Sequence, residues 1–118
     1  MEKRSYTRST RVADLIKEEV ANLFLREVSD PRVQGITITE VKLGDDLKLA
    51  KIFYVTSEKH EEKATAEGLV KVKGFIRREL AKRIDFRRVP DIEFHYDDVF
   101  EHGVKMENLL RDIKNGNQ

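Results

Sequence analysis

A group of basic residues surrounds a glycine in the stretch GLVKVKGFIRREL, residues 68–80. Lys71 and Lys73 precede Gly74, and Arg77 and Arg78 follow it. Lysine and arginine bind phosphate groups by charge and hydrogen bonding. A glycine has no Cβ, so another chain can approach its backbone closely. The combination predicts a surface that holds a phosphate chain and discriminates little between base sequences.

The charges of this chain are unevenly distributed, although its formal net charge is only +1. Residues 71–88 contain eight basic and two acidic residues, and residues 1–11 contain four basic and one acidic residue. Such asymmetry indicates a contact with a polyanion. The alternative for residues 71–88 is a solvated helix face, and the N-terminal bases either extend the same surface or form a solvated chain end.

A helical pattern underlies the basic segment from about residue 61 to residue 84. Its apolar positions recur every three or four residues: Leu69, Val72, Ile76, Leu80 and Ile84. A continuous helix would place Lys73 on the apolar side, and a glycine inside a helix costs roughly 1 kcal/mol relative to alanine. We therefore predict two helices that meet at a kink near Gly74, where the second helix begins with free N–H groups that bind phosphate. The alternative is one continuous helix with a tolerated glycine.

Two further elements precede this segment. An apolar stripe predicts a helix from about Ser9 to Val28, capped by Ser9 or Thr10 and ended by the turn at Asp30-Pro31. The stripe consists of Val12, Leu15, Ile16, Val20, Leu23 and Phe24. The β-branched stretch 33–43 and the stretch 47–56, joined by a short turn at residues 44–46, predict an antiparallel hairpin. From residue 36 onward, the apolar residues of the first strand lie at even positions before Thr39 and at odd positions after it, which indicates a bulge or a change of face.

A third strand and a terminal helix complete the chain. Ile92, Phe94 and Tyr96 alternate with polar residues after Pro90, and residues 107–113 resemble a short helix. The predicted order is α-β-β-α-α-β, an α+β domain whose three-stranded sheet carries its helices on one face. We expect one domain over residues 1–113 and a disordered tail over residues 114–118.

Catalytic and cofactor sites are weakly indicated. The sequence has no cysteine and no glycine-rich nucleotide loop, and its three histidines lie in different elements. Asp97, Asp98 and Glu101 are more typical of helix caps than of an acid/base set. We therefore predict a protein that is not an enzyme and has no metal or cofactor. It lacks a secretory signal and an apolar run of ~20 residues, so we expect it in the cytoplasm without a membrane partner. Its charged surface favours a monomer.

Most of the chain resembles the ribosome-binding factor A family. The matching segments are RVADLIKEEVANLFLREVSDPR (11–32), ITITEVKLGDDLKLAKIFYV (36–55), GFIRRELAKRIDFRRVPDIEFHYDD (74–98) and HGVKMENLL (102–110). The resemblance implies a type II KH-like fold with an Ala-x-Gly kink between the second and third helices. Here that motif is Val72-Lys73-Gly74, so the glycine matches the family pattern and the alanine does not.

The resemblance also implies a function. Members of the family have no enzymatic activity of their own, bind the free 30S subunit at 16S ribosomal RNA near its 5′ region, and support late maturation, especially in the cold, alongside assembly GTPases. We predict that RNA is contacted by Gly74 and the basic residues of the two basic segments and of the Asp-Pro-Arg motif. These are Arg4, Arg8, Arg11, Arg32, Lys71, Lys73, Gly74, Arg77, Arg78, Lys82, Arg83, Arg87 and Arg88.

Two other functions compete with this prediction. A protein-interaction module of the same shape would use the basic face to bind an acidic partner, and its complex would resist ribonuclease. A small hydrolase would use the carboxylates between Asp97 and Glu101, and substitution of Asp97 and Asp98 by asparagine would abolish its turnover.

Overall fold

The computed structural model describes residues 7–56 and 62–114, with the backbone alone at positions 101, 102, 104, 105, 108 and 112–114. The predicted α+β class with a three-stranded sheet is confirmed. The elements are α1 (Arg8–Arg26), a 3₁₀ turn (Pro31–Val33), β1 (Ile36–Leu43), β2 (Leu49–Thr56), α2 (Glu62–Arg83), β3 (Asp91–Tyr96) and α3 (Asp98–Lys114). Their order is therefore α-β-β-α-β-α, with one helix where two were predicted.

The sheet has the order β1-β2-β3, with β1 antiparallel and β3 parallel to β2. The β1–β2 register shifts between Ile38 and Glu40, which confirms the bulge at the predicted change of parity. Ile38 lies opposite Tyr54 and Val41 lies opposite Ile52. The extra residue thus returns the apolar side chains of β1 to a single face.

Helices α1 and α2 cover that apolar face of the sheet. Ile52 of β2 is fully buried together with Ile16 of α1 and Ile76 of α2. On the opposite face of β2, Lys51 is exposed. Burial on one face and exposure on the other follow from the two-residue period of a strand, so the helices define an inner and an outer side of the domain.

The start of α1 differs from the prediction. Thr7, not Ser9 or Thr10, caps the helix, because the Thr7 hydroxyl accepts a hydrogen bond of 3.2 Å from the backbone N–H of Thr10. Leu15 is 48% exposed, since it lies about 100° from Ile16 on the helix surface. Ala13 takes its place in the core.

Helix α2 is continuous over 22 residues, so the predicted break into two helices at Gly74 is wrong. Two contacts remove the objections to one helix. Lys73 lies near the apolar side but forms an ion pair with Asp91 at 3.3 Å, and Phe75 packs partly buried against the edge of the core. A continuous helix therefore leaves no unpaired charge at Lys73.

Helix α3 has 17 residues and is longer than predicted. Asp97 caps it by accepting a 2.9 Å hydrogen bond from the backbone N–H of Phe100, while the Thr39 hydroxyl donates to the other Asp97 oxygen at 2.5 Å. The hydrogen bond from Thr39 is the main cause of the lowered pKa of Asp97. Its carboxylate is thus a structural acceptor, as expected for a cap. Residues 115–118 of the expected tail lie outside the described residues.

Candidate nucleic-acid interface

The outer side of α2 carries an exposed row of residues, Lys71, Gly74, Arg78 and Lys82, which we call the outer row. Spacings of three or four residues place them on one line along the helix, opposite the buried Leu69, Ile76 and Leu80. Lys71 and Arg78 form no hydrogen bond or ion pair within residues 7–56 and 62–114. Lys82 pairs with Glu79 at 3.0 Å, yet its side chain stays 71% exposed.

Gly74 leaves a gap in the outer row. The predicted free N–H groups at this position are absent, because Gly74 lies inside a continuous helix. A Cβ built on Gly74 would meet only one side-chain atom within 4 Å, Nη1 of Arg78 at 3.4 Å. The Arg78 guanidinium therefore lies over the helix backbone at Gly74, and a phosphate chain that draws this flexible group aside can approach the backbone closely.

Gly68 is the glycine whose missing side chain the fold requires. A Cβ at Gly68 would lie 2.9 Å from Cγ1 of Val33 and 3.0 Å from Cβ of Arg32. The first distance is shorter than real Cβ contacts and the second is tighter than most of them, so a side chain at residue 68 would force α2 and the 3₁₀ turn apart or shift Val33. Sequence reasoning missed this position, since its neighbours belong to a distant segment.

Arg32 has its partners within the chain. Its Nε donates to Oδ1 of Asp30 at 3.0 Å and its Nη2 donates to Oδ2 at 2.6 Å. These bonds from Arg32 lower the pKa of Asp30 to about 2. The bidentate pair orders the turn on which α2 rests.

Lys73 and Arg77 connect α2 to β3. The Arg77 guanidinium donates to the carbonyl oxygens of Pro90 at 3.1 Å and Val89 at 3.3 Å. Lys73 pairs with Asp91, whose pKa is lowered by the hydrogen bond from the Ile92 backbone N–H and by Lys73. The side chains of Lys73 and Arg77 therefore hold the start of β3 against α2.

Arg83 joins the two long helices. It contacts three carboxylates, those of Glu79 at 2.8 Å, Glu27 at 3.2 Å and Glu19 at 3.3 Å. Glu19 belongs to α1, and Glu27 follows its last turn. A basic residue already surrounded by carboxylates has little positive charge left to offer a phosphate.

The other predicted cations within the described residues are exposed. Arg8 and Arg11 lie in the first turn of α1, and Arg87 and Arg88 lie between α2 and β3. They make no ion pair within the part of the chain that the structure describes. Arg4 lies outside the described residues. The predicted RNA-binding cations within the described residues therefore form two groups. One group is exposed and makes few or no internal contacts, and the other, Arg32, Lys73, Arg77 and Arg83, is bonded to other parts of the fold.

Other kinds of site find no support in the described residues. No group of three or more metal-ligating side chains occurs among them, and none of their helices is long and apolar enough to cross a membrane. Nε2 of His95 lies within hydrogen-bond distance of Oε1 of Glu93, at 3.0 Å. His60 and the side chains of Glu101 and His102 lie outside what the structure describes.

Known proteins are similar to this sequence over most of its length. The family model of ribosome-binding factor A matches residues 8–110. The chain belongs to the ribosome-binding factor A family. A family member from Syntrophobacter fumaroxidans is 45% identical over 111 residues, which cover 92% of this chain and 95% of the relative.

Solved structures of the family share the fold. A crystal structure of ribosome-binding factor A from Thermus thermophilus superposes with a TM-score of 0.68 at 23% identity, covering 75% of this chain and 93% of that chain. A Thermus thermophilus homology model fitted into a cryo-EM map of a 30S complex gives a TM-score of 0.60 at 24% identity, covering 70% and 88%. The KH-like fold expected from the resemblance is confirmed.

Proposed function

We propose that the protein is a non-enzymatic factor that binds the small (30S) ribosomal subunit through the outer row of α2. The observation that carries the proposal is the pair of exposed cations, Lys71 and Arg78, which form no ion pair among the described residues and lie on either side of Gly74. Membership of the ribosome-binding factor A family supports the choice of partner. A complex of the Thermus thermophilus relative with the 30S subunit supports it further.

The outer row fits RNA backbone better than it fits a base-reading site. Lys71 and Arg78 lie seven residues apart, so about 10 Å of helix axis separates them. Two cations at that separation can contact phosphates on one RNA strand, and at Gly74 only the flexible end of Arg78 separates that strand from the helix backbone. Arg87 and Arg88 extend the cationic surface beyond the C-terminal end of α2. Recognition then depends on the shape of the folded RNA and on salt.

The biological role that we assign is support of late maturation of 16S ribosomal RNA near its 5′ region, in the cytoplasm. We propose that the requirement is strongest at low temperature and that assembly GTPases act on the same particle. These assignments rest on family membership. Deletion of the gene should raise the amount of unprocessed 16S precursor more at low temperature than at the growth optimum, and equal precursor levels at both temperatures would contradict the cold requirement.

Co-sedimentation tests the partner directly. The purified protein is layered with 30S subunits on sucrose gradients at about 50 and about 200 mM salt, with 50S subunits as the control. We expect migration with 30S at the lower salt, weaker migration at the higher salt, and none with 50S. Equal migration with both subunits, or none with 30S for a folded protein, would contradict the proposal.

A further inference from the structure

The edge of the sheet at β3 borders a cleft of about 340 Å³ beneath α2. The wall on the α2 side is formed by one side of the helix, including Ala66, Leu69 and Val70, and the other wall is β3 from Ile92 to His95. Val70 is 74% exposed although it is apolar. The cleft therefore combines an apolar surface with an open strand edge.

Backbone hydrogen bonds show which groups of β3 face this edge. The N–H of Asp91 donates to the carbonyl of Lys48 at 2.9 Å and the N–H of Asp97 donates to the carbonyl of Tyr54 at 2.8 Å, so odd-numbered residues of β3 bond toward β2. Even-numbered residues then direct their N–H and C=O groups away from β2. Within the described residues no strand pairs with this side of β3.

The first part of the edge is already satisfied by side chains. Asp91 accepts from the N–H of Ile92 at 2.9 Å, and Arg77 donates to the carbonyl of Pro90. The N–H and C=O of Phe94 have no such partner among the described residues. Side chains thus satisfy the edge only as far as the N–H of Ile92, which leaves the N–H and C=O of Phe94 available for pairing with another strand.

The charge of the cleft argues for a peptide and against a nucleic acid. Lys73 is the only cationic side chain among the described residues that line it, and Asp91 already neutralises Lys73 at 3.3 Å. Glu93 lines the cleft beside His95, whose Nε2 lies 3.0 Å from Oε1 of Glu93. Glu62 does not line the cleft but is close enough to Tyr54, which does, to raise the pKa of Tyr54 in addition to the larger effect of burial. A polyanion would meet carboxylates here, whereas a basic chain would be attracted.

We propose that the β3 edge binds an extended segment of a partner protein, with apolar side chains at alternate positions and basic ones between them. The segment pairs with Phe94 as an added strand, its apolar side chains enter the cleft beside Leu69 and Val70, and its basic side chains face Glu93. This site is separate from the outer row, so it adds a protein contact to the proposed RNA contact.

A synthetic peptide of alternating lysine and valine serves as the probe, with the full chain labelled for amide NMR. We expect saturable shifts of Phe94 and Val70 and slower hydrogen exchange at the Phe94 amide. The same peptide with every backbone amide methylated has no N–H group for strand pairing and should bind on the order of tenfold more weakly. Equal affinity for both peptides would overturn the proposal, as would shifts of the same amides by an oligouridylate and not by the peptide.

Val70→Lys is the matched variant, because an exposed side chain can change without loss of the core. Leu25→Lys, at an 80% exposed apolar position on α1, is its control. Val70→Lys should reduce peptide affinity about fivefold or more by placing a like charge at the mouth of the cleft, and Leu25→Lys should leave it unchanged. Equal effects of the two variants would place the peptide elsewhere and overturn the proposal.

Discussion

Gly68 and Arg77 lie on the side of α2 that contacts the rest of the domain, whereas Gly74 and Arg78 lie on the outer side. The residue types are the same on both sides. On the contact side, the glycine removes a collision with the 3₁₀ turn and the arginine binds two carbonyl groups. On the outer side, only the flexible end of Arg78 lies near the position that a Cβ of the glycine would take, and that arginine has no hydrogen-bond or ion-pair partner among the described residues. Composition alone therefore does not separate structural from functional residues here; their neighbours do.

Substitution of Gly68 by alanine tests whether the fold requires a glycine where α2 contacts the 3₁₀ turn. In Gly68→Ala the new methyl group must displace Val33 or Arg32, which costs about 1–3 kcal/mol and exceeds the roughly 1 kcal/mol that alanine gains in helix propensity. We expect a lower urea midpoint with an unchanged slope. A midpoint equal to or above that of the wild type would contradict the contact with the 3₁₀ turn.

The two neighbouring arginines should differ in the same way. Arg77→Gln removes bonds to the carbonyls of Val89 and Pro90, and we expect a loss of about 1–3 kcal/mol in the free energy of unfolding. Arg78→Gln should change it by less than about 0.5 kcal/mol, because an exposed side chain without a partner contributes little. Chemical denaturation of both variants measures the difference, and equal losses would remove the distinction between the two sides.

Gly74→Ala should act in the opposite direction to Gly68→Ala. The site is exposed and the helix is continuous, so alanine should stabilise the protein by about 0.5–1 kcal/mol. The added methyl group narrows the gap in the outer row, and we expect 30S binding to weaken slightly while stability rises. A destabilised Gly74→Ala variant would show that the helix needs glycine at this position.

The Asp30–Arg32 pair predicts a pH dependence on the contact side. The pKa of Asp30 is about 2 in the folded protein against an ordinary value of 3.8. The pair therefore contributes its full stabilisation at pH values above 3.8 and loses it as the pH falls toward 2. The stability difference between wild type and Asp30→Asn should be constant at neutral pH and shrink below about pH 4. Thermal melts at several pH values test this, and a difference that grows on acidification would contradict it.

The strands were predictable from sequence, and the course of α2 was not. Alternation of apolar residues located β1, β2 and β3, and the change of parity after Thr39 correctly marked the bulge. The helix break failed because the partner of Lys73 is Asp91, which lies in another element. A helical wheel counts Lys73 as a buried charge, since it contains no information about a neighbouring strand.

The candidate site was predictable in composition but not in detail. Helical spacing identified Lys71, Arg78 and Lys82 as one exposed row, and they are exposed in the structure. The internal partners of Arg77 and Arg83 come from loops and from α1, so no local pattern reveals them. A binding test that substitutes Arg77 together with the outer row would therefore confuse loss of binding with loss of folding.

Titration of 30S subunits with two matched double variants tests the outer row most directly. Lys71→Gln with Arg78→Gln removes two charges from α2, and Lys42→Gln with Lys51→Gln removes two charges from the opposite face of the sheet, where the residues are cross-strand neighbours. We expect the α2 variant to bind about tenfold or more weakly, with a salt dependence reduced by about 0.7–0.9 per lost phosphate contact. The sheet variant should bind within about twofold of the wild type. Equal affinities for the two folded variants, or a larger loss in the sheet variant, would contradict an RNA-binding surface on the outer side of α2.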